Sequence, residues 1–154
     1  AALREGANLF DVVQAGLYGA REGYARSWRF ARSSAGASVE QRIRMAVTIG
    51  TCYAHDFDRL LQEMTDIVGT GLNANEAIPA AFGYIAATAG DVMQTIHMAV
   101  NAGDDTDTVA CMAGYIVGAL GGVERIPARY LQSIEKMHGF ELQKLALRLA
   151  ALLR

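Results

Sequence analysis

Apolar residues recur every three or four positions along nearly the whole chain, and a sequence with that period has few options besides helices packed on helices. Leu9, Val13 and Leu17 share a face, with Phe10 beside them. Ile43, Ala46, Val47, Gly50 and Tyr53 form a second stripe, and Phe57, Leu60, Leu61, Met64, Ile67 and Val68 a third. Val92, Ile96, Ala99 and Val100 make another, as do Leu142, Leu145, Leu149 and Leu152. No run alternates apolar and polar residues with the period of two that a half-buried strand needs. The spacing therefore predicts an all-α fold, a compact multi-helix bundle. A length of 154 residues suits a single domain, 1–154, with enough chain to bury a core. Breaks are expected at "SSAGAS" (33–38), "GTGLNAN" (69–75), "GD" (90–91), "NAGDD" (101–105) and "GG" (121–122). Pro79 and Pro127 are expected early in their helices, where a missing N–H costs little.

The totals exclude more than they assign. Fourteen basic and sixteen acidic side chains nearly balance, which gives no domain-wide attraction to nucleic acid or to an anionic membrane. In "ARSWRFARS", Arg26, Arg29 and Arg32 interleave with Trp28 and Phe30, a pattern that can stack and neutralise single-stranded nucleic acid. Without a wider basic excess it reads as a solvated helix end, so no nucleic-acid partner is expected. The uncharged stretch "TVACMAGYIVGALGGV" (108–123) is shorter than the roughly 20 residues a bilayer span needs. Its Gly114, Gly118 and Gly122 read as a stripe that lets neighbouring backbones approach inside a core, so no membrane partner is expected. Cys52 and Cys111 lie in apolar helical patterns without a CxxC pairing, and read as buried free thiols of a reducing compartment. "AALREGANLF" lacks a signal-peptide pattern, which together with the thiols points to a cytoplasmic protein. His97 and His138 have no partner at ligand spacing, and His55, Asp56 and Asp58 fit a helix-end cluster.

The unusual segment is "GDDTDTVACMAG" at 103–114. Asp107 or Thr108 is a natural helix N-cap, because a side-chain oxygen there accepts from first-turn N–H groups. One Asp is enough for a cap. Asp104, Asp105 and Asp107 together exceed that need, and carboxylates this close repel one another unless a cation sits among them. Oxygen donors with a hydroxyl beside them suit a hard divalent ion such as Mg²⁺ or Mn²⁺. The positive end of the helix dipole opposes a cation, so a metal here needs several anionic ligands. On composition alone, a metal site and an over-decorated cap remain equal alternatives.

"NAGDDTDTVACMAGYIVGALGGVERIP" resembles the C-terminal signature of the ADP-ribosylglycohydrolases, and "VGTGLNANEAIPAAFGYI" resembles a second segment of the same family. The two matches cover residues 68–127. The resemblance implies an all-helical bundle around a two-metal centre, Mg²⁺ in most members and Mn²⁺ in some. The implied activity is hydrolysis of the glycosidic bond joining ADP-ribose to a protein side chain, or of a related ADP-ribose bond. Carried over by motif, Asp105, Asp107 and Thr108 would be metal ligands. Gly69, Thr70, Gly71 and Leu72 would lie against ADP-ribose, with Glu76 anchoring that segment. Asp104 stands where the family usually has Gly or Asn.

The family's N-terminal half, with its own acidic metal motif and the acidic residue that assists catalysis, has no counterpart here, so no catalytic residue is assigned. The resemblance thus implies the C-terminal half of a larger domain. Its expected partners are an ADP-ribosylated protein or ADP-ribose derivative and the missing N-terminal half of the same fold. The competing reading is a non-catalytic helical interaction module that retains half of the fold.

Overall fold

The structure, a computed structural model, describes residues 1–31 and 36–152. Among them are eight α-helices and no strand, so the all-α expectation holds. The chain divides into two compact units, Ala1–Gly122 and Val123–Arg154.

In the first unit, α1 is Leu9–Ser27, α2 Val39–Cys52, α3 Phe57–Glu63, α4 Ala74–Ala87, α5 Val92–Val100 and α6 Thr106–Gly121. Helix α4 is the hub. Ala77, Ala80, Ala81, Phe82, Tyr84, Ile85 and Ala87 are all buried, so it is covered on every side, as a helix apolar all round must be. It packs most extensively on α2 and also meets α1, α5 and α6. Small residues make the α2 contact close: a Cβ on Gly83 would fall 3.1 Å from the Ala46 carbonyl oxygen. On the other side, Val12, Leu17, Ile43 and Phe82 form a buried cluster joining α1, α2 and α4.

Helix starts are written in the sequence. Asn8 and Asp11 form a reciprocal capping box on α1, each side chain accepting the other's N–H at 3.1 Å. Asp56 accepts from Arg59 N–H at 3.0 Å at the start of α3, which makes the acidic cluster at 55–58 a helix end as expected. Asp91 accepts from Gln94 N–H at 2.9 Å at the start of α5. A buried hydroxyl pair, Thr88 Oγ1 and Thr95 Oγ1 at 2.6 Å, ties the end of α4 to α5. After α3 the chain widens into one π-helical turn, Met64–Val68, closed by Gly69 N–H donating to the Met64 carbonyl at 2.8 Å.

Several expectations fail. Pro79 is the sixth residue of α4 and not at its start, and Pro127 is the N-cap of α7, just outside it. Cys52 and Cys111 are free but exposed, because each sits on the outward side of its helix. The glycine stripe of α6 is not a close-packed seam. A Cβ on Gly114 would make ordinary contact with Ile96 at 3.5 Å, one on Gly118 would meet nothing within 4 Å, and Gly122, at φ +80°, ends the helix. Trp28 and Phe30 are exposed just past the end of α1; Arg32 and the start of "SSAGAS" lie outside the described residues. His97 and His138 are exposed. No helix among the described residues is long and apolar enough to cross a membrane.

In the second unit, a short 3₁₀ turn, Val123–Arg125, leads to α7 (Ala128–His138) and α8 (Leu142–Ala151). Gly139, left-handed at φ +69°, ends α7 and donates its N–H to the Glu135 carbonyl at 2.9 Å. The Glu135 carboxylate then accepts the Leu142 N–H at 2.7 Å, satisfying an N–H that the start of α8 leaves free.

Candidate functional site

Two loops of the first unit meet. One runs from Gly69 to Asn73, between the π turn and α4; the other runs from Asn101 to Asp105, between α5 and α6. The Asp105 N–H donates to the Thr70 carbonyl at 3.2 Å, so the glycine loop and the acidic turn are joined through their backbones. Thr70 is buried at 3% exposure and Gly71 is buried beside it, whereas Leu72 is 83% exposed at the loop's outer edge.

The acidic turn is a tight reversal. Gly103 and Asp104 are both left-handed, at φ +79° and φ +55°, and the Thr106 N–H closes back on the Asp104 carbonyl at 3.0 Å. A non-glycine residue in that region is uncommon; Asp is among those that tolerate it best. Helix α6 begins at Thr106 with Asp105 as its N-cap, two or three residues earlier than the expected Asp107 or Thr108. Asp107 and Thr108 are the second and third helical residues, the first exposed and the second half-buried.

Asp105 does not behave as a cap. Asp56 and Asp91, at the same position of their helices, accept a first-turn N–H, but the Asp105 side chain makes no capping bond. Its Oδ2 is buried and has no hydrogen-bond partner among the described residues. A carboxylate oxygen left in that state costs free energy unless something cationic or a donor completes it.

Carboxylates converge on Gly71. A Cβ placed there would lie 2.6 Å from Glu76 Oε2 and 3.0 Å from Asp104 Oδ2, so any larger residue would have to move the two carboxylates. Glu76 also runs along Gly69, which is left-handed at φ +83° and where a Cβ would lie 2.8 Å from Glu76 Cγ. Arg42 of α2 reaches the same place: its Nη1 lies 3.7 Å from Glu76 Oε1 and donates to the Asn75 carbonyl at 3.0 Å. Sequence reasoning missed Arg42. The one available signal is Pro79, which has no N–H to give the carbonyl four residues before it, but nothing local says which distant donor serves that carbonyl.

The donor set is all oxygen, and the unpartnered Asp105 Oδ2 is an atom that a hard divalent ion would satisfy. Among the described residues no group of three or more His, Cys, Asp or Glu is arranged to hold a metal. A cleft of about 550 Å³ between α1 and α2, lined by Leu9, Phe10, Val13, Val47 and Thr48, contains none of these residues.

A helical bundle that joins a glycine loop to an acidic, hydroxyl-bearing helix start places several oxygen donors close together. This chain belongs to the ADP-ribosylglycohydrolase family, whose family model matches residues 1–154. It is 34% identical over 90 residues to the mouse (Mus musculus) ADP-ribosylhydrolase ARH3, covering 52% of this chain and 24% of that protein. The human (Homo sapiens) ARH3 is 31% identical over 84 residues, 48% of this chain and 23% of the relative. An uncharacterized Escherichia coli (strain K12) protein, YegU, is 27% identical over 114 residues, 74% of this chain and 34% of its own length. The chain thus spans a quarter to a third of the length of these curated relatives. No solved structure matches it.

Proposed function

We propose that this chain supplies the C-terminal half of an ADP-ribosylglycohydrolase, a hydrolase that cleaves the glycosidic bond between ADP-ribose and a protein side chain, or a related ADP-ribose bond. The N-terminal half of the site comes from another segment. The reading rests on family membership and on names carried by relatives such as ARH3. The structural observation that carries it is the buried, unpartnered Oδ2 of Asp105, hydrogen-bonded through its own backbone to the glycine loop.

In this reading Asp105, Asp107 and Thr108 hold one side of a divalent metal centre, Mg²⁺ or Mn²⁺. A divalent ion held by these residues would supply positive charge for orienting the ribose hydroxyls and polarising a water. The chain's own part is positional. Gly69, Thr70, Gly71 and Leu72 line ADP-ribose, with Leu72 exposed at the loop's outer edge, and the two glycines leave the room that the Glu76 side chain fills. Glu76 lies along that loop and fixes its path. The acid that assists catalysis belongs to the other half.

The test is release of ADP-ribose from an ADP-ribosylated protein by this chain combined with the polypeptide carrying the N-terminal half. Activity that disappears with chelator and in Asp107→Ala supports the proposal; unchanged activity in that variant removes Asp107 from the metal centre. Absence of release by the combined wild-type proteins would favour the non-catalytic helical interaction module.

A further inference from the structure

We infer that Arg42 is a positioning residue for this site: it holds Glu76, and through Glu76 the glycine loop, in line with the acidic turn. The functional meaning rests on the proposed reading above, but the geometry stands independently. Pro79 withholds an N–H from the Asn75 carbonyl inside the first turns of α4. Arg42, 33 residues earlier on α2, supplies the missing donor at 3.0 Å. The same nitrogen faces Glu76 Oε1 at 3.7 Å, with the two side chains only 25% and 27% exposed. One guanidinium thus fixes both the carbonyl and the carboxylate of adjacent residues at the start of α4.

The consequence reaches the acidic turn. Glu76 Oε2 and Asp104 Oδ2 both lie beside the position a Cβ of Gly71 would take, so two carboxylates share the space over one glycine. Arg42 is the cation that the described residues place against Glu76, and without it like charges this close push apart. Glu76 would swing off the loop, Gly69 and Gly71 would lose the wall they pack against, and the Thr70 carbonyl would drift from the Asp105 N–H. Asn75 adds a second tie, its side-chain amide donating to the Ala37 carbonyl at 3.4 Å. That bond survives replacement of Arg42, so the start of α4 stays folded while the loop loosens.

The experiment is amide hydrogen exchange on the full 154-residue chain carrying Arg42→Gln or Arg42→Lys. In Arg42→Gln the Asp105 amide is expected to exchange about tenfold faster, the size of one lost hydrogen bond to a charged group. Tyr84 and Ile85, deep in α4, should keep their wild-type protection, and Arg42→Lys, which retains the charge, should restore much of the Asp105 protection. Unchanged Asp105 exchange in Arg42→Gln overturns the inference. Equal acceleration at Asp105, Tyr84 and Ile85 also overturns it, because that is general destabilisation. Exchange needs no turnover, so an absence of hydrolase activity would defeat the proposed function and leave this result standing.

Discussion

Gly50 of α2 and Gly83 of α4 face each other so closely that a Cβ on Gly50 would run into the Gly83 carbonyl oxygen. The loops of the candidate site depend on this contact, because α2 carries Arg42 and α4 carries Glu76. Replacing Gly50 by Ala forces two backbones apart. Replacing Gly83 by Ala meets mainly the Sδ and Cε of Met64, the movable end of a flexible side chain. Gly50→Ala is therefore expected to destabilise by the upper part of the roughly 1–3 kcal/mol typical of overpacking, and Gly83→Ala by about 1 kcal/mol. Urea unfolding of both variants checks the order.

Gly118 of α6 gives the opposite expectation. A Cβ there meets no atom within 4 Å, and its backbone is helical. Gly118→Ala then removes backbone freedom from the unfolded chain and should stabilise by a few tenths to about 1 kcal/mol. A fall in the thermal midpoint would mean that this face of α6 is covered in solution.

Asp91 and Asp105 occupy the same cap position but should respond differently to truncation. Asp91→Ala loses a 2.9 Å capping bond and is expected to cost about 1 kcal/mol. Asp105→Ala loses no capping bond and removes a buried oxygen without a partner. Its stability in chelator should equal or exceed that of the unaltered chain, while the assembled protein loses metal-dependent release of ADP-ribose. Denaturant midpoints and the release assay, run side by side, separate a structural aspartate from a functional one.

That contrast also marks what the sequence made legible. The 3.6-residue period and the caps at Asn8, Asp56 and Asp91 are local signals, so the all-α fold and these helix starts are legible in the sequence. The meeting of "GTGL" with "GDD" is not local: a backbone bond joins Thr70 to Asp105 and Asp104 reaches Gly71, and the family resemblance gives each segment a role without saying that they touch. The start of α6 is not legible because all five residues from Asp104 to Thr108 can cap a helix, and only the left-handed turn at Gly103 and Asp104 selects Asp105. The exposed cysteines and the open face at Gly118 misled for a related reason. Apolar character says that a residue suits burial, but which side of a helix is covered depends on neighbours far along the chain.

Tyr84 supplies the prediction that depends on pH. Its side chain is fully buried in α4, its hydroxyl has no hydrogen-bond partner, and burial pushes its phenol well above the ordinary 10.0. The folded state therefore favours the neutral phenol. That contribution is fully present below the unfolded-state value near pH 10, and it is lost as pH rises beyond it, because the unfolded chain then ionises while the folded chain does not. Tyr84→Phe removes both the unpartnered hydroxyl and the titration. It should leave stability at pH 7 unchanged or higher by up to about 1 kcal/mol. It should also flatten the loss of stability above pH 10. Ultraviolet titration at alkaline pH offers an independent check: one of the six tyrosines of the unaltered chain should ionise only as the protein unfolds, and that delayed step should be absent from Tyr84→Phe. A steeper alkaline loss in the variant, or a clear drop in stability at pH 7, would mean that the hydroxyl has a partner in solution, such as a buried water.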